Sequence, residues 1–276
     1  MGSPGLLGDT SARDYSRKLN LFNACAETEL RLAIASLKLV PGMKLLDAGC
    51  GTGEALGWLR GQVATEGVVV GMDLASAHTH AAYAGSGSAA LIVQADLLKP
   101  PLARASFDLV WSVNTVNHLH DPVAGVEVLA SLLQPRGRIA LGQSSLLPDM
   151  YFAWNARLER LVTEAVRQYY RARYGLKERD LAAVRSIAGV LGRAGLHDVR
   201  VQTFMIERLF PLNEKDEAYL LETIFRDTWG ERLRPYLADD DFLELNRLCD
   251  PDNPEFALRR PDFHFLQTFT LAVGSV

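Results

Sequence analysis

The sequence of 276 residues predicts an α/β fold, a mostly parallel sheet wound on both faces by helices. Three observations predict it. Short apolar runs alternate with helical patterns over residues 43–142, a glycine-rich turn follows the first run, and the stretch that follows this turn has helical spacing. Strands that alternate with helices form βαβ units, so we expect a doubly wound core.

The elements of this core follow one another in a regular order. A helical pattern over residues 11–38 ends at Pro41-Gly42, a pair that stops helices. Short apolar runs then predict strands at Lys44–Ala48, Val68–Met72, Leu91–Gln94, Asp108–Val113 and Arg138–Gly142. Helices are predicted between them at about 53–65, 75–83 and 121–133.

After Gly142 the pattern changes to longer helices. An amphipathic stripe predicts a helix over residues 148–174, and a second helix over 178–194 ends at Gly195. Asp241 and Glu244 have capping-box spacing, which favours a helix start over a metal site in that acidic run. The remaining patterns predict strands at 199–209 and 263–273 and helices at 213–228 and 240–249.

Composition and charge exclude several classes of protein. The formal net charge is -4 and no basic stripe is present, so nucleic acid is not an expected partner. Cys25, Cys50 and Cys249 lie far apart and suggest no disulfide framework, which favours a reducing, cytoplasmic setting. Neither a signal peptide nor a run of about 20 apolar residues is present.

The segment from Asp47 to Glu54, DAGCGTGE, is the most informative part of the sequence. Its glycines allow positive φ and let a ligand approach the backbone closely. The helix that follows offers unpaired N–H groups at its start. Because open α/β sheets bind ligands at the carboxyl ends of their strands, we expect a ligand site here.

Two kinds of ligand are compatible with a glycine-rich turn. A dinucleotide fingerprint, G-x-G-x-x-G, would need glycine where this chain has Glu54. A pyrophosphate would also meet the carboxylates of Asp47 and Glu54. A ligand with an amino group and a cationic centre tolerates these charges better.

Four ordered motifs resemble those of class I S-adenosylmethionine-dependent methyltransferases. The glycine-rich segment resembles the first motif, and the match covers about residues 43–142. Arg136 replaces the first glycine of the usual turn before strand five, a departure expected to alter the turn and not the chemistry. The other matching segments are VVVGMD at 68–73, VQADL at 93–97 and FDLVWSVN at 107–114.

The resemblance implies S-adenosylmethionine as cofactor and a Rossmann-like sheet of seven strands. It places Asp73 on the ribose hydroxyls and Asp96 near the adenine amino group. An N-terminal tyrosine, Tyr15, would fold over the methionyl part, with a packing role as the competing interpretation. The full predicted cofactor-binding set is Tyr15, Asp47, Gly49, Cys50, Gly51, Gly53, Asp73, Leu74, Asp96, Leu97 and Asn114.

His118 and His120 are the candidate catalytic residues, because the stretch after the fourth strand often faces the acceptor in this family. A general base at either position would serve an oxygen or nitrogen acceptor. The competing interpretation for each is a structural or surface histidine. No metal site is predicted, since His118-x-His120 and His78-x-His80 lack acidic or cysteine partners at ligand spacing.

The family resemblance also implies a division of the chain. Residues 1–40 are expected to be an N-terminal lid segment, and residues 41–145 the cofactor-binding core. Residues 146–276 would complete the sheet and carry helical lid insertions at about 146–176 and 211–262. Without a linker rich in Gly, Ser or Pro, we expect these additions to pack on the core.

We therefore predict a methyltransferase that acts on a small hydrophobic or aromatic molecule, of the kind found in secondary metabolism. The layout is similar to that of ubiquinone/menaquinone-biosynthesis methyltransferases. Two alternatives stay open: a cofactor-binding relative that catalyses cyclisation or rearrangement, and a non-catalytic oligomerising relative. The sequence leaves a homodimer or larger homo-oligomer open.

Overall fold

The computed structural model describes residues 5–86, 90–145, 149–152, 154–177 and 183–276. Within these residues, eight strands form one sheet. In chain order they are β1 Lys44–Ala48, β2 Val68–Asp73, β3 Leu91–Gln94, β4 Phe107–Val113, β5 Leu133–Ser144, β6 Asp149–Tyr151, β7 His197–Leu209 and β8 His264–Ser275.

The strand order is that of a doubly wound sheet. Strand β1 is central and pairs in parallel with β2 and β4, β3 pairs with β2, and β5 pairs with β4. Strand β8 is antiparallel to both β5 and β7. Strand β7 pairs with one side of β8, and β5 and the short β6 pair with successive parts of its other side. The eight strands therefore form a sheet that is seven strands wide. The predicted fold class is confirmed.

Helices cover both faces of this sheet. Two π- or 3-10-type segments also border the site described below, a π-helix at Tyr219–Thr228 and a 3-10 helix at Glu231–Tyr236. The α-helices are α1 Ser16–Cys25, α2 Glu27–Ser36, α3 Glu54–Val63, α4 Ser76–Ser86, α5 Pro122–Ser131, α6 Ala156–Tyr174, α7 Ala183–Arg193, α8 Glu214–Ala218 and α9 Asp239–Cys249.

The core lies in two layers because successive residues of a strand point to opposite faces. On β1, Leu45 packs into the cluster on one face and Leu46 into the cluster on the other, and both are fully buried. Trp111 and Val110 of β4 divide in the same way. The first layer includes residues of α2, α3 and α6, and the second includes residues of α5 and α7.

The turn predicted before the fifth strand is an irregular segment inside β5, which begins at Leu133, and it keeps a glycine-like backbone without glycine. Arg136, which stands where the family pattern has its first glycine, has a φ of +69°. This is the left-handed region, which non-glycine residues seldom occupy. The substitution therefore costs some backbone strain, and β5 still pairs with β4 in register from Arg138 onward.

Three predicted elements differ in the structure. The helix predicted from residue 148 starts at Ala156, because Asp149–Tyr151 pairs with β8 as a strand. The helical pattern over 11–38 is divided at Ala26 into α1 and α2. The pattern over 213–228 becomes α8 followed by the π-helix.

The predicted capping box at α9 is wrong. The N-cap of α9 is Ala238, and Asp241 lies in the first turn of the helix. Its carboxylate instead accepts two hydrogen bonds from the Arg157 guanidinium of α6, at 2.6 and 3.1 Å. The Asp241 side chain, which the local spacing predicts to cap the helix, thus forms a long-range ion pair instead.

The added segments are joined to one another by ion pairs. Arg17 and Lys18 of α1 bind Glu222 and Asp227 of the π-helix. Such contacts support a shared lid, although the division of the chain into lid and core stays a prediction. Among the described residues, no helix combines the length and the apolar character that crossing a membrane would require.

Candidate active site

A cavity of about 570 Å³ opens at the carboxyl ends of β1, β2, β4 and β5. Its size is in the range of small-molecule sites. The glycine-rich loop of residues 49–53 forms one end. The segment of residues 5–15, called the strap below, crosses it, and side chains of α1, α6 and the π-helix enclose the other end.

Two glycines of the loop are required by close packing. Gly49 has a φ of +82°, and a Cβ there would lie 2.1 Å from Oγ1 of Thr115. Gly51 has a φ of +52°, and its Cβ would lie 2.9 Å from Leu19. Gly53, also predicted to bind cofactor, is not on the cavity wall and packs against Ala82 of α4. The loop is thus a cradle without side chains at Gly49 and Gly51.

Asp47 lies beneath the loop with an unsatisfied carboxylate. It is almost fully buried, and its Oδ2 atom has no hydrogen-bond partner among the described residues. Burial raises the pKa of Asp47 well above its usual value, and the nearby charges of Asp73 and Glu54 raise it further. Burial likewise raises the pKa of the Cys50 thiol beside it, which stays neutral. This end of the cavity is suited to a ligand that brings a positive charge.

Asp73 ends β2 and supports the loop from the side. Its Oδ2 atom accepts the N–H of Gly51 at 2.9 Å, and its Oδ1 atom accepts the N–H of Ala75 at 2.9 Å. The Nδ1 atom of His78, which is buried, lies 3.2 Å from Oδ1. Asp73 therefore faces the cavity with its orientation fixed by three donors.

The wall beyond Asp73 is a mixed apolar and acidic slot. Leu74, Asp96 and Leu97 all line the cavity, and of the two leucines Leu74 is exposed and Leu97 is buried. The Oδ1 atom of Asp96 accepts the N–H of Leu98 at 2.9 Å, which leaves its other oxygen for a ligand. A flat ring between two leucines and a carboxylate acceptor for an amino group fit this slot.

Asn114 ends β4 and has a φ of +52°. Its Oδ1 atom accepts hydrogen bonds from the N–H and the hydroxyl of Ser144, at 2.8 and 2.9 Å. The side chain thus ties β4 to β5 at the cavity floor. Its role as a cofactor contact stays a prediction, since the bonds that the structure shows are internal.

Tyr15 closes the cavity from the strap. Its N–H donates to Nε2 of His78 at 3.4 Å, and its ring packs edge-on against the imidazole with centroids 4.5 Å apart. Its hydroxyl donates to Asp9 at 3.4 Å. Burial, followed by the charge of Asp9, raises the pKa of Tyr15, which remains a neutral phenol. His78 also contacts Asp73, which accepts the N–H of Gly51. A chain of hydrogen bonds therefore links the strap to the glycine-rich loop.

The two candidate histidines differ in environment. His118 lines the cavity, and its Nδ1 atom lies 2.7 Å from Oδ2 of Asp9. Burial acts to raise the pKa of Asp9, but the hydrogen bond and charge of His118, with Arg13, outweigh it and hold the pKa below its usual value. His120 is exposed and is not among the residues that line the cavity.

No metal is suggested by this arrangement. Within the described part of the chain, no group of three His, Cys, Asp or Glu side chains is placed to hold an ion. The ring nitrogens of His78 face Asp73 and the N–H of Tyr15.

Comparison with known proteins identifies the family. A methyltransferase-domain family model matches residues 46–141. The malonyl-acyl-carrier-protein O-methyltransferase of Pseudescherichia vulneris is 30% identical over 220 residues, which cover 72% of this chain and 84% of that protein. The chain belongs to the class I S-adenosylmethionine-dependent methyltransferases. Its cofactor is S-adenosylmethionine.

Other relatives match a smaller part of this methyltransferase. The 27-O-demethylrifamycin SV methyltransferase of Amycolatopsis mediterranei is 33% identical over 118 residues. That match covers 41% of this chain and 43% of the relative, so the chain spans less than half of its length.

Solved structures agree with the fold over almost the whole chain. The methyltransferase in the Trm112 activator complex of Haloferax volcanii has a TM-score of 0.56 and 17% identity, covering 96% of this chain and 99% of that one. The cyclase SpnF has a TM-score of 0.53 and 13% identity, covering 99% and 98%. Identities this low show a shared fold and nothing about the reaction.

The residues of this methyltransferase fit its cofactor. The orphaned Oδ2 of Asp47 lies where a buried ammonium group would complete its hydrogen bonding, and side chains at Gly49 and Gly51 would fill the cradle. Sequence reasoning missed Asp9, because nothing in the strap sequence marks an aspartate that pairs with a histidine 109 positions later. It also missed Lys18, Asp227 and Arg232, which line the same cavity.

Proposed function

We propose that this methyltransferase transfers a methyl group to an oxygen atom of a small hydrophobic or aromatic molecule. The observation that carries the proposal is the pair of His118 and Asp9 in the same cavity as the glycine-rich loop. A histidine held by a carboxylate is a suitable general base for a hydroxyl group. The relatives named 27-O-demethylrifamycin SV methyltransferase and nocamycin O-methyltransferase support an oxygen acceptor in secondary metabolism.

The proposed cofactor contacts follow the order of the cavity wall. Asp47 would accept hydrogen bonds from the ammonium group of the methionyl part. Gly49 and Gly51, which lack side chains, would let the methionyl part approach the backbone of the loop. Asp73 would bind the ribose hydroxyls, and Asp96 with Leu74 and Leu97 would hold the adenine. Tyr15 would close over the sulfur end once the strap is in place.

His118 is assigned the proton-transfer role. When bound, S-adenosylmethionine supplies a methyl group on a positively charged sulfur. Nε2 of His118 would take the proton of the acceptor hydroxyl as its oxygen is methylated. Asp9 is a positioning residue, since its carboxylate accepts from Nδ1 and fixes the tautomer that leaves Nε2 basic. The enclosed cavity keeps water from competing as acceptor.

Asp73→Ala is expected to weaken S-adenosylhomocysteine binding by about 10- to 100-fold, because a ribose acceptor is lost. It should also lower the free energy of unfolding, since the N–H of Gly51 loses its partner. Titration calorimetry and thermal unfolding measure the two effects. The matched control is Asp108→Ala. It removes a carboxylate that accepts the N–H of Lys44 at the amino-terminal end of β1, away from the cavity. Unchanged affinity in Asp73→Ala would show that the ribose contact is misplaced.

His118→Asn is expected to reduce kcat by about 100- to 10,000-fold while S-adenosylhomocysteine affinity changes by less than about twofold. Turnover is measured as S-adenosylhomocysteine release with a panel of phenols and hydroxy acids. Asp9→Asn should give a smaller loss, since it alters the orientation of the base and not its presence. His120→Asn separates the two candidate histidines, and we expect it to lose far less activity than His118→Asn.

The surface histidine His197 of β7 provides a control for general effects of histidine removal, through His197→Asn. Full activity in His118→Asn would exclude it as the base. If the cofactor binds but no acceptor of any class yields S-adenosylhomocysteine, the cyclase alternative gains. If the cofactor does not bind, the non-catalytic alternative gains.

A further inference from the structure

The part of the cavity wall formed by α1, the π-helix and the 3-10 helix contains charged side chains that none of the proposed cofactor contacts uses. We call Lys18, Asp227 and Arg232 the basic corner. Nζ of Lys18 lies 2.8 Å from Oδ2 of Asp227, and the Arg232 guanidinium bonds to Oδ1 of the same carboxylate. All three side chains line the cavity and are partly buried.

The charges of the basic corner do not cancel. Two cations share one carboxylate, so the corner has a net charge of +1. Elsewhere on the wall, Asp47, Asp73 and Asp96 supply carboxylates, and Arg13, which also lines the cavity, pairs with Asp9. The basic corner thus has positive charge in excess of its carboxylate, whereas the proposed cofactor contacts Asp47, Asp73 and Asp96 are acidic.

The π-helix shapes this end of the cavity. Hydrogen bonds five residues apart, such as Trp229 N–H to the Ile224 carbonyl at 2.8 Å, widen each turn. Residues four and five positions apart then share a face, and that face lines the cavity. Its members are Tyr219, Thr223, Ile224, Asp227 and Thr228. Wide turns of this kind occur mostly at functional sites.

Aromatic rings complete the pocket beside the basic corner. Tyr169, Tyr170 and Tyr174 of α6 line it, and the Arg232 guanidinium lies over the Tyr169 ring with Cζ 5.0 Å from the centroid. Burial raises the pKa of Tyr170 to about 12, so it remains a neutral ring with a hydroxyl donor. The surroundings thus combine flat apolar surface with an excess of positive charge.

We propose that the acceptor carries an ionised oxygen acid, such as a carboxylate, in addition to the hydroxyl that is methylated, and that Arg232 and Lys18 bind this group. The inference rests on the proposed methyltransferase function and names its substrate class, an aromatic hydroxy acid. The two N–H groups of an arginine guanidinium match the geometry of a carboxylate. Because Lys18 and Arg232 share the single carboxylate of Asp227, a second anion would be stabilised beside them. A neutral acceptor would leave this excess charge without use.

The test compares two rigid probes that differ in charge, 2-naphthoate and 2-naphthamide. Each is titrated by calorimetry into the full chain, with and without S-adenosylhomocysteine. In the natural sequence we expect 2-naphthoate to bind about 10- to 100-fold more tightly than 2-naphthamide. Arg232→Gln should remove most of that difference, Lys18→Met should remove part of it, and Arg232→Lys should retain part of it.

Arg234→Gln is the matched control. It removes the same charge two positions away on the same 3-10 helix, where the Arg234 guanidinium lies over Phe242, outside the cavity lining. Circular dichroism and thermal unfolding check that each variant folds. We expect Arg234→Gln to retain the preference for the carboxylate.

Three results would overturn the acidic acceptor. They are equal affinity for the two probes, no binding of 2-naphthoate at millimolar concentration, or an equal loss of preference in Arg232→Gln and Arg234→Gln. The affinity for S-adenosylhomocysteine is measured in the same preparations. If S-adenosylhomocysteine does not bind, the methyltransferase site itself is in error. If S-adenosylhomocysteine binds but 2-naphthoate is not preferred over 2-naphthamide, only the proposed substrate class is in error.

Discussion

Asp47→Asn is expected to lower the affinity for S-adenosylhomocysteine by about 100-fold, because the buried carboxylate that we propose as the partner of the cofactor ammonium would lose its charge. The same change should raise the free energy of unfolding of the cofactor-free protein by about 1 kcal/mol or more. Asn is nearly isosteric with Asp and removes a charge that has no partner among the described residues. Titration calorimetry and denaturant unfolding measure the two quantities.

The sign of the stability change follows from the pKa of Asp47. Burial raises it above that of the unfolded chain, so the folded protein binds the proton more tightly. The penalty is fully present above the folded pKa and disappears as the pH falls below the unfolded value. The stabilities of Asp47→Asn and the natural protein should therefore converge on acidification.

The control for Asp47 is Asp108→Asn, which alters a partly buried carboxylate near the amino-terminal ends of β1 and β4. We expect it to leave cofactor affinity unchanged. We would abandon the interpretation of Asp47 as a destabilising buried charge if the cofactor-free Asp47→Asn protein were less stable than the natural protein at neutral pH. Such trade-offs between stability and function are common at binding sites.

Gly49→Ala is expected to destabilise the protein by about 3–5 kcal/mol or to prevent folding. The new Cβ would lie 2.1, 2.4 and 2.7 Å from three side-chain atoms of Thr115, and the φ of +82° disfavours any L side chain. Denaturant unfolding measures the loss. The extent of the loss depends on how far the loop after β4 can move aside.

Two further variants separate the causes of this loss. Gly57→Ala adds the same methyl group on α3, where nothing lies within 4 Å, and should stabilise by about 0.5–1 kcal/mol. Thr115→Gly in the Gly49→Ala background removes the clash and leaves the φ strain, so it should restore part of the stability. A Gly49→Ala protein as stable as Gly57→Ala would refute the packing argument.

Much of the fold was predictable because it depends on local patterns. The alternation of apolar runs and helical stretches located β1 to β5 and the helices between them within a few residues. The start of α5 is a local device, since Asp121 accepts the N–H groups of Val123 and Ala124 from within the same turn. Where a long-range partner competed, local reasoning failed, as for Asp241 with Arg157 and for the short strand β6 with β8.

The candidate site divides along the same line. The glycine-rich loop, Asp73 and Asp96 are recognisable because strand ends and motif spacing place them on one edge of the sheet. The assignment of His118 gained support from a contact that spacing could not predict, with Asp9 on the strap. Gly53 was expected on the cavity wall by its place in the motif, but the structure packs it against Ala82.

The alternation of strands and helices and the ligand-binding end of the sheet were predicted from the sequence alone, and the identity of the cofactor followed from the resemblance of the motifs. Each depends on hydrophobic periodicity or on a few adjacent residues whose geometry the backbone fixes locally. The tertiary structure decided what the other half of the cavity contains. Lys18 and Asp227, which form one ion pair, lie 209 positions apart, and Arg232 joins them from the next helical turn. Charges so distant in the chain meet only when the whole core has folded, because the free energy that brings them together comes from packing elsewhere.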